Sequence, residues 1–258
     1  MTISERILIA LSRAPKNDDY QQKDSAITID TALDLLHRVY PNLSSLVSGK
    51  RVVDFGCGTG HQSIALVKKY NCSVIGIDTN KNTIEKAINN AKCHSISSQQ
   101  LSFVESIFPD MLNSFDVVIS QNAFEHFGNP EQILNEMNSL LKDSGIVLLT
   151  FGPPWLAPYG SHMHFFCKVP WINILFSEKT VMKVRSNFRN DGAERYEEVE
   201  SGLNRMTVSR FENIVSSNNL KLRTKNYECI KGMNWLAKLP ILRELFVNHI
   251  SSVLCKAT

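Results

Sequence analysis

Three glycines alternate with other residues directly after a short apolar run, and this spacing is the clearest chemical signal in the chain. Residues 51–55 have the β-branched and aromatic content of a buried parallel strand, and Gly56, Gly58 and Gly60 follow it. Residues 61–69 have helical spacing, so a helix N-terminus with free N–H groups faces the turn and favours an anionic or carbonyl-bearing ligand. The pattern therefore predicts a strand, a tight turn and a helix that together bind a ligand.

Asp78 ends the next predicted strand, residues 73–78, at a distance of 22 residues from Gly56. In a βαβ nucleotide-binding unit, an acid at the tip of the second strand accepts hydrogen bonds from the ribose hydroxyls. The glycine spacing alone also fits a plain strand-to-helix turn. Asp78 at this distance favours a nucleoside site.

Residues 54–60, Asp-Phe-Gly-Cys-Gly-Thr-Gly, closely resemble the first motif of the class I (Rossmann-like) S-adenosylmethionine-dependent methyltransferases. The resemblance continues to about Phe151 and implies S-adenosylmethionine as the cofactor. The spacing differs from the Gly-x-Gly-x-x-Gly that binds a pyrophosphate, which favours a nucleoside with an amino-acid tail over a dinucleotide. On this resemblance we expect the cofactor to contact Asp54, Gly56, Cys57, Gly58, Gly60, Asp78, Thr79, Ser106, Ile107, Gln121 and Asn122.

An acid usually follows the third strand in the resembling enzymes and accepts a hydrogen bond from the adenine amino group. Here the third predicted strand covers residues 101–105 and runs on into Ser106, Ile107 and Phe108. We therefore expect this acid to be missing, with Ser106 or a backbone group in its place.

Histidines follow two predicted central strands at the edge where ligands bind in an open parallel sheet. His126 follows the fourth strand, and residues 152–166, after the fifth, contain His162 and His164 among prolines and aromatic residues. A hydroxyl acceptor needs a base near neutral pH, so His162 or His164 is the first candidate and His126 the second. An equally simple alternative is that these histidines bind backbone carbonyls and are structural. The candidate substrate contacts are Tyr20, Trp155, Tyr159 and Arg205.

The elements that must position these residues predict an α/β fold. The resemblance further implies a Rossmann-like, doubly wound, seven-stranded and mostly parallel sheet, with an antiparallel last strand and a helical insertion after the fifth strand. The chain is expected to be a single methyltransferase domain over residues 1–258. Its parts are N-terminal helices and a cover loop (1–48), a cofactor-binding core (49–151), a substrate loop and lid insertion (152–206), and a C-terminal helix with strands (207–258).

Length and composition agree with one domain, because 258 residues with 43% hydrophobic content can bury one α/β core and an insertion. No apolar run approaches the roughly 20 residues that cross a bilayer, and residues 3–11 predict an amphipathic helix rather than a signal peptide. The six cysteines lack a C-x-x-C pair, which predicts a reduced, cytoplasmic protein without zinc or disulfides. From Lys179 onward 14 basic residues oppose 8 acidic ones, which fits either an anionic substrate or a solvated basic face.

The activity expected from the resemblance is methyl transfer to a small molecule. The preferred acceptor is a hydroxyl of a sugar, a polysaccharide precursor or a secondary metabolite, as in enzymes of bacterial polysaccharide and secondary-metabolite gene clusters. Resembling enzymes that methylate an amide or a base nitrogen carry an Asn-Pro-Pro-Tyr type tetrad after the fourth strand. Residues 120–123 of this chain are Ser-Gln-Asn-Ala, which argues against DNA as the substrate. RNA ranks lower because no long basic cluster is present.

Three further alternatives stay open at this point. A non-catalytic protein could retain the fold and bind the cofactor. No metal is predicted, although Glu125 and the three histidines are conceivable ligands. The insertion could form a lid, which we prefer, a homodimer contact or a membrane-facing patch.

Overall fold

The computed structural model describes residues 1–13, 28–199 and 202–257. The helices are α1 (Ile3–Leu11), α2 (Asp34–Val39), α3 (Leu43–Val47), α4 (His61–Tyr70), α5 (Lys81–Cys93), α6 (Pro130–Leu140), α7 (Ile172–Leu175), α8 (Glu178–Arg185), α9 (Val208–Ser216) and α10 (Pro240–Phe246). The strands are β1 (Arg51–Phe55), β2 (Ser73–Ile77), β3 (Leu101–Val104), β4 (Phe115–Gln121), β5 (Leu141–Phe151), β6 (Leu220–Cys229) and β7 (Val247–Lys256). Short 3-10 turns cover Pro109–Met111, Phe124–His126, Tyr196–Glu198, Ile230–Gly232 and Asn234–Lys238.

The strands form one seven-stranded sheet in the order β3-β2-β1-β4-β5-β7-β6. The pairs among β1 to β5 are parallel, whereas β7 runs antiparallel to both β5 and β6. This arrangement confirms the predicted doubly wound sheet with an antiparallel last strand. It also gathers the exits of β1, β2, β4 and β5 at one edge, where a ligand can reach them.

Local capping explains where several helices begin. Asn80 caps α5 by accepting a hydrogen bond from the Thr83 N–H, and Thr207 caps α9 by accepting one from the Arg210 N–H. The chain breaks around Pro41, because α2 ends at Val39 and α3 begins at Leu43.

Apolar side chains fill both faces of the sheet. One face packs against α6 and α9 through residues such as Val118, Leu134 and Phe211. The opposite face packs against α2, α3 and α4 through residues such as Leu36 and Leu66.

The insertion after β5 has a small apolar core of its own, which includes Phe166, Val181 and Tyr196. Leu8 of α1 is completely buried in this core, and α1 packs on α8. The N-terminal helix is therefore attached to the insertion, and the two form one layer over the sheet edge. Within the described ranges, none of the helices has the length and apolar character that crossing a membrane requires.

Candidate active site

The glycine turn and Asp78 are joined directly. One Asp78 carboxylate oxygen accepts a hydrogen bond from the Gly58 N–H at 3.0 Å, and the other accepts one from the Asn80 N–H at 3.0 Å. The carboxylate is thus held between the glycine turn and the start of α5. Each oxygen retains a lone pair for a ligand hydroxyl.

Gly56 shows why the turn needs glycine. Its φ is +79°, and a Cβ at this position would lie 2.9 Å from the Cβ of Ala123 and 3.5 Å from the ring of Phe127. A side chain would therefore meet the turn that follows β4 as well as strain the backbone. The close packing brings the exits of β1 and β4 together at the switch in strand order, the usual place for a ligand in an open α/β sheet.

A cavity of about 460 Å³ opens beside this turn. This volume is in the range of small-molecule sites. Five of the predicted cofactor residues line it: Gly56, Asp78, Thr79, Ser106 and Ile107. Sequence reasoning missed the other lining residues, which are Phe55, Ile77, Glu105, Phe127, Ile133, Glu136 and Ser139. The apolar walls suit a base, and Asp78 suits a ribose, so these residues fit a nucleoside cofactor.

Glu105 corrects one expectation. The strand β3 ends at Val104, one residue earlier than predicted, so Glu105 is the first residue after the strand and lines the cavity. The expectation that an acid is missing at this position was wrong. The sequence pattern did not show where the strand ends, because the alternation of residues 101–105 continues past Val104. Only the pairing with β2 stops at Val104.

Asp54 is 1% exposed and bonds within the protein. Its carboxylate accepts hydrogen bonds from Gln62 Nε2 at 2.7 Å and Ser63 Oγ at 2.5 Å, which attaches β1 to the first turn of α4. Burial raises the pKa of Asp54 to about 6, against the lowering effect of those two hydrogen bonds. Asp54 supports the glycine turn from behind.

The other predicted cofactor residues lie around the turn without lining this cavity. Cys57 is buried, and burial raises its thiol pKa far above the ordinary value. Gly58 and Gly60 continue the turn with positive φ. Gln121 ends β4 with a buried side-chain oxygen that has no partner among the described residues, and Asn122 follows it.

A second, tighter cleft lies next to the turn after β4. It is lined by Glu125, Pro153, Trp155, Gly160, His162, Leu203, Arg205 and Met206, and the space between these residues is too narrow for a water molecule. The cleft brings together three predicted residues that are distant in sequence: Trp155, His162 and Arg205. Arg205 donates to both Glu178 carboxylate oxygens at 2.8 Å, and its guanidinium lies 5.6 Å from the centre of the Trp155 ring.

Two of the three candidate histidines are neighbours. The rings of His126 and His162 meet edge to face with centroids 5.4 Å apart. His126 Nδ1 lies 2.7 Å from the carbonyl oxygen of Gly202, and His162 Nε2 lies 3.4 Å from that of Pro153. His164 is exposed, packs against Tyr159 and, like it, does not line the cleft. Tyr20 lies outside the described residues.

Glu125 is the buried acid of this cleft. It is 3% exposed; one carboxylate oxygen accepts a hydrogen bond from the Gly152 N–H at 3.1 Å, and the other has no partner among the described residues. Burial raises the pKa of Glu125, and the nearby His126 offsets part of this increase. Nowhere in residues 1–13, 28–199 or 202–257 do three or more His, Cys, Asp or Glu side chains group so that they could hold a metal ion.

Known proteins match this part of the chain. A family model described as "Methyltransferase domain" matches residues 46–153, which is somewhat less than half of the chain and contains β1 to β5. Residues 46–153 are similar to a methyltransferase domain. The match covers the glycine turn, Asp78 and the turn after β4.

Curated relatives of this domain act on different acceptor atoms. The mitochondrial ubiquinone biosynthesis O-methyltransferase of Dictyostelium discoideum is 29% identical over 40% of this chain and 36% of its own length. The sterol 24-C-methyltransferase erg6 of Aspergillus fumigatus is 33% identical over 38% of this chain and 26% of its own. Phosphoethanolamine N-methyltransferase 3 of Arabidopsis thaliana is 29% identical over 43% of this chain and 23% of its own length. The matched part spans about a third or less of each relative, and the acceptor type is not determined by these matches.

Solved structures share the fold over nearly the whole chain. The cyclase SpnF has a TM-score of 0.58 at 13% identity and covers 98% of this chain and 93% of its own. A geranyl diphosphate methyltransferase in complex with SAM has a TM-score of 0.55 at 12% identity, and the match covers 97% of this chain and 94% of that protein. With the methyltransferase domain and the fitting cavity, these matches support S-adenosylmethionine as the cofactor.

Proposed function

We propose that this protein is an S-adenosylmethionine-dependent methyltransferase that acts on a small molecule. The observation that carries the proposal is that one short turn borders both sites. Phe127 lines the nucleoside cavity, Glu125 lines the adjacent cleft, and His126 lies between them in the chain. A cofactor in the cavity and an acceptor in the cleft would therefore meet at this turn.

The cofactor, when bound, supplies a methyl carbon activated by a sulfonium. Gly56, Asp78 and Thr79 would hold its nucleoside half, and Glu105, which also lines the cavity, would contact its base. The narrow cleft excludes water from the acceptor side. Entry of an acceptor requires the loop around Pro153 and the segment 202–206 to separate.

The acceptor we propose is a hydroxyl of a sugar, a polysaccharide precursor or a secondary metabolite. Such a hydroxyl must lose its proton, and His126 is well suited to take it. Its Nδ1–H donates to the Gly202 carbonyl, so the neutral ring carries its lone pair on Nε2. His162, whose ring contacts His126, is the second candidate base, and His164 is the third.

The experiment that tests this function is a calorimetric titration of the purified protein with S-adenosylhomocysteine, with NADH as the control ligand. We expect binding of S-adenosylhomocysteine alone, weakened about ten-fold or more by Asp78→Ala because a half-buried acceptor of ribose hydroxyls is lost. Asp110→Ala, at an exposed acid in the turn Pro109–Met111, is the matched control and should bind normally. Binding of NADH alone would contradict the proposal.

The acceptor is then identified by transfer of a labelled methyl group to panels of sugars and metabolites. Methylation of an amine or a carbon in place of a hydroxyl would keep the enzyme class and overturn the O-methyl proposal. Binding of S-adenosylhomocysteine without transfer to any acceptor class, including tRNA and rRNA, would favour the non-catalytic alternative.

We also propose a cytoplasmic location, which is supported by the six free cysteines. The narrow cleft supports a small molecule over DNA or RNA as the partner. A homodimer is retained as a proposal that light scattering of the purified protein tests.

A further inference from the structure

His249 and Asn122 meet although β5 separates their strands. Their side chains approach to 3.3 Å between His249 Nε2 and Asn122 Oδ1. The strands β4 and β7 lie on opposite sides of β5, and strands two places apart are roughly 10 Å from each other. Gly152 directly follows β5, and a Cβ there would lie 2.4 Å from the Asn248 carbonyl oxygen and 3.0 Å from the Cα of His249. The missing side chain lets β7 come close at this point.

The surroundings of His249 determine which nitrogen carries its proton. The residue is 9% exposed, and its Nδ1 is buried without a hydrogen-bond partner among the described residues. Burial lowers the pKa of His249, while Glu228 raises it and Arg38 lowers it, so the ring is neutral at pH 7. A proton on Nδ1 would be buried with no acceptor, so the proton belongs on Nε2, which donates to Asn122.

This hydrogen bond orients the Asn122 amide. Because Oδ1 accepts from His249, the Nδ2 group is the end that faces outward, and Asn122 is exposed. Its backbone is held as well, since the Asn122 N–H donates to the Thr150 carbonyl at 2.9 Å. The side chain therefore presents two N–H donors at the exit of β4.

The residue that follows Asn122 packs against the glycine turn. Ala123, the next residue, is the one whose Cβ would meet a side chain at Gly56. Gly56 also lines the nucleoside cavity. A ligand that fills the cavity and continues past Gly56 therefore reaches Asn122, and an amide N–H pair is suited to bind a carboxylate.

We propose that His249 is a positioning residue that holds Asn122 so that the Asn122 Nδ2–H group binds the carboxylate of the cofactor's amino-acid tail. The inference rests on the proposed function and assigns a role to a residue 127 positions away from its partner.

The test compares two ligands by calorimetry: S-adenosylhomocysteine, and 5′-methylthioadenosine, which has the same nucleoside and thioether but lacks the amino-acid tail. Asn122→Asp replaces the donor with a carboxylate oxygen that repels the tail. His249→Phe removes the donor and keeps a ring, whereas His249→Gln keeps an N–H. The matched control is Glu228→Gln, because Glu228 lies opposite His249 on β6.

We expect Asn122→Asp to weaken the binding of S-adenosylhomocysteine about ten-fold or more, and His249→Phe to weaken it about three- to ten-fold. The affinity for 5′-methylthioadenosine should be unchanged in both variants. His249→Gln should recover most of the loss, and Glu228→Gln should behave as the wild type. Circular dichroism melting of each variant verifies that it is folded.

Two results would overturn the inference alone. Equal weakening of both ligands would mean that His249 only supports the fold, and unchanged affinity in His249→Phe would mean that it does not position Asn122. Failure of the wild type to bind either ligand would instead overturn the proposed function, and this inference with it.

Discussion

His126 Nδ1 lies 2.7 Å from the carbonyl oxygen of Gly202, which is 76 residues further along the chain. Three more hydrogen bonds join the same turn to that segment: the Asn204 N–H donates to the Glu125 carbonyl, and Asn204 Nδ2 donates to the carbonyls of Phe124 and Phe127. The turn after β4 and the end of the insertion are therefore joined. His126 has both a structural bond and, at Nε2, a lone pair for chemistry.

Substitution of His126 separates these two roles. In His126→Asn the amide N–H stands near the position of Nδ1 and can still donate to Gly202, but the base is lost. We expect turnover to fall about 100-fold or more, the usual contribution of a general base, with unchanged affinity for S-adenosylhomocysteine and a melting temperature near that of the wild type. Normal turnover in this variant would show that His126 is not the base.

The other histidines supply the comparison for that experiment. His162→Ala should lower turnover, because the His162 ring contacts His126 and lines the cleft. His164→Ala should have a smaller effect than either, because His164 is exposed and packs on Tyr159. If His164→Ala lost more turnover than the other two variants, His164 would be the base, as the sequence analysis allowed.

Glu105 should contribute to recognition of the adenine amino group. Glu105→Gln keeps the size of the side chain but removes its charge, and we expect S-adenosylhomocysteine to bind several-fold more weakly. The analogue with hypoxanthine in place of adenine, which lacks the amino group, should bind wild type and variant equally in the same calorimetric assay. If the variant weakens both ligands to the same degree, Glu105 does not contact the amino group.

Asp54 makes folding stability depend on pH. Its pKa is raised from 3.8 in the unfolded reference to about 6 in the folded protein, so between pH 4 and 6 the folded state binds more protons than the unfolded state. The contribution of Asp54 to the free energy of unfolding therefore falls by about 3 kcal/mol in total as the pH rises through that window. Carboxylates with lowered pKa, such as Asp191 and Asp116, act in the opposite direction.

The Asp54 contribution is isolated by comparison with Asp54→Asn, which does not titrate. Urea unfolding of both proteins at pH 4, 5, 6 and 7 should show the wild type losing stability relative to the variant as pH rises. A difference in free energy of unfolding that stays constant over this range would contradict the raised pKa.

Gly152 is predicted to be intolerant of substitution. In Gly152→Ala the new Cβ would lie 2.4 Å from a backbone oxygen of β7, which must move. We expect a loss of roughly 2 to 4 kcal/mol in the free energy of unfolding, measured with urea. Gly128→Ala is the matched control, because a Cβ there meets nothing within 4 Å, and its change should be within about 0.5 kcal/mol.

The sequence by itself determined the parts of this protein that depend on near neighbours. The glycine turn, the helix behind it and Asp78 at the end of β2 all follow from residues a few positions apart. The alternation of strands and helices predicted the α/β class, and the resemblance carried by residues 54–60 implied the seven-stranded sheet that is observed. Boundaries were less secure, and the one-residue error at the end of β3 concealed Glu105.

Only the tertiary structure decided which distant residues share a site. The contacts of His126 with Gly202 and of Asn122 with His249 join segments separated by 76 and 127 residues, and no local pattern predicts them. Packing also separates two of the candidate histidines, since His162 lines the cleft and His164 does not. The physical reason is that periodicity reports which face of an element is buried, whereas a site is formed by the layers that fold against that face.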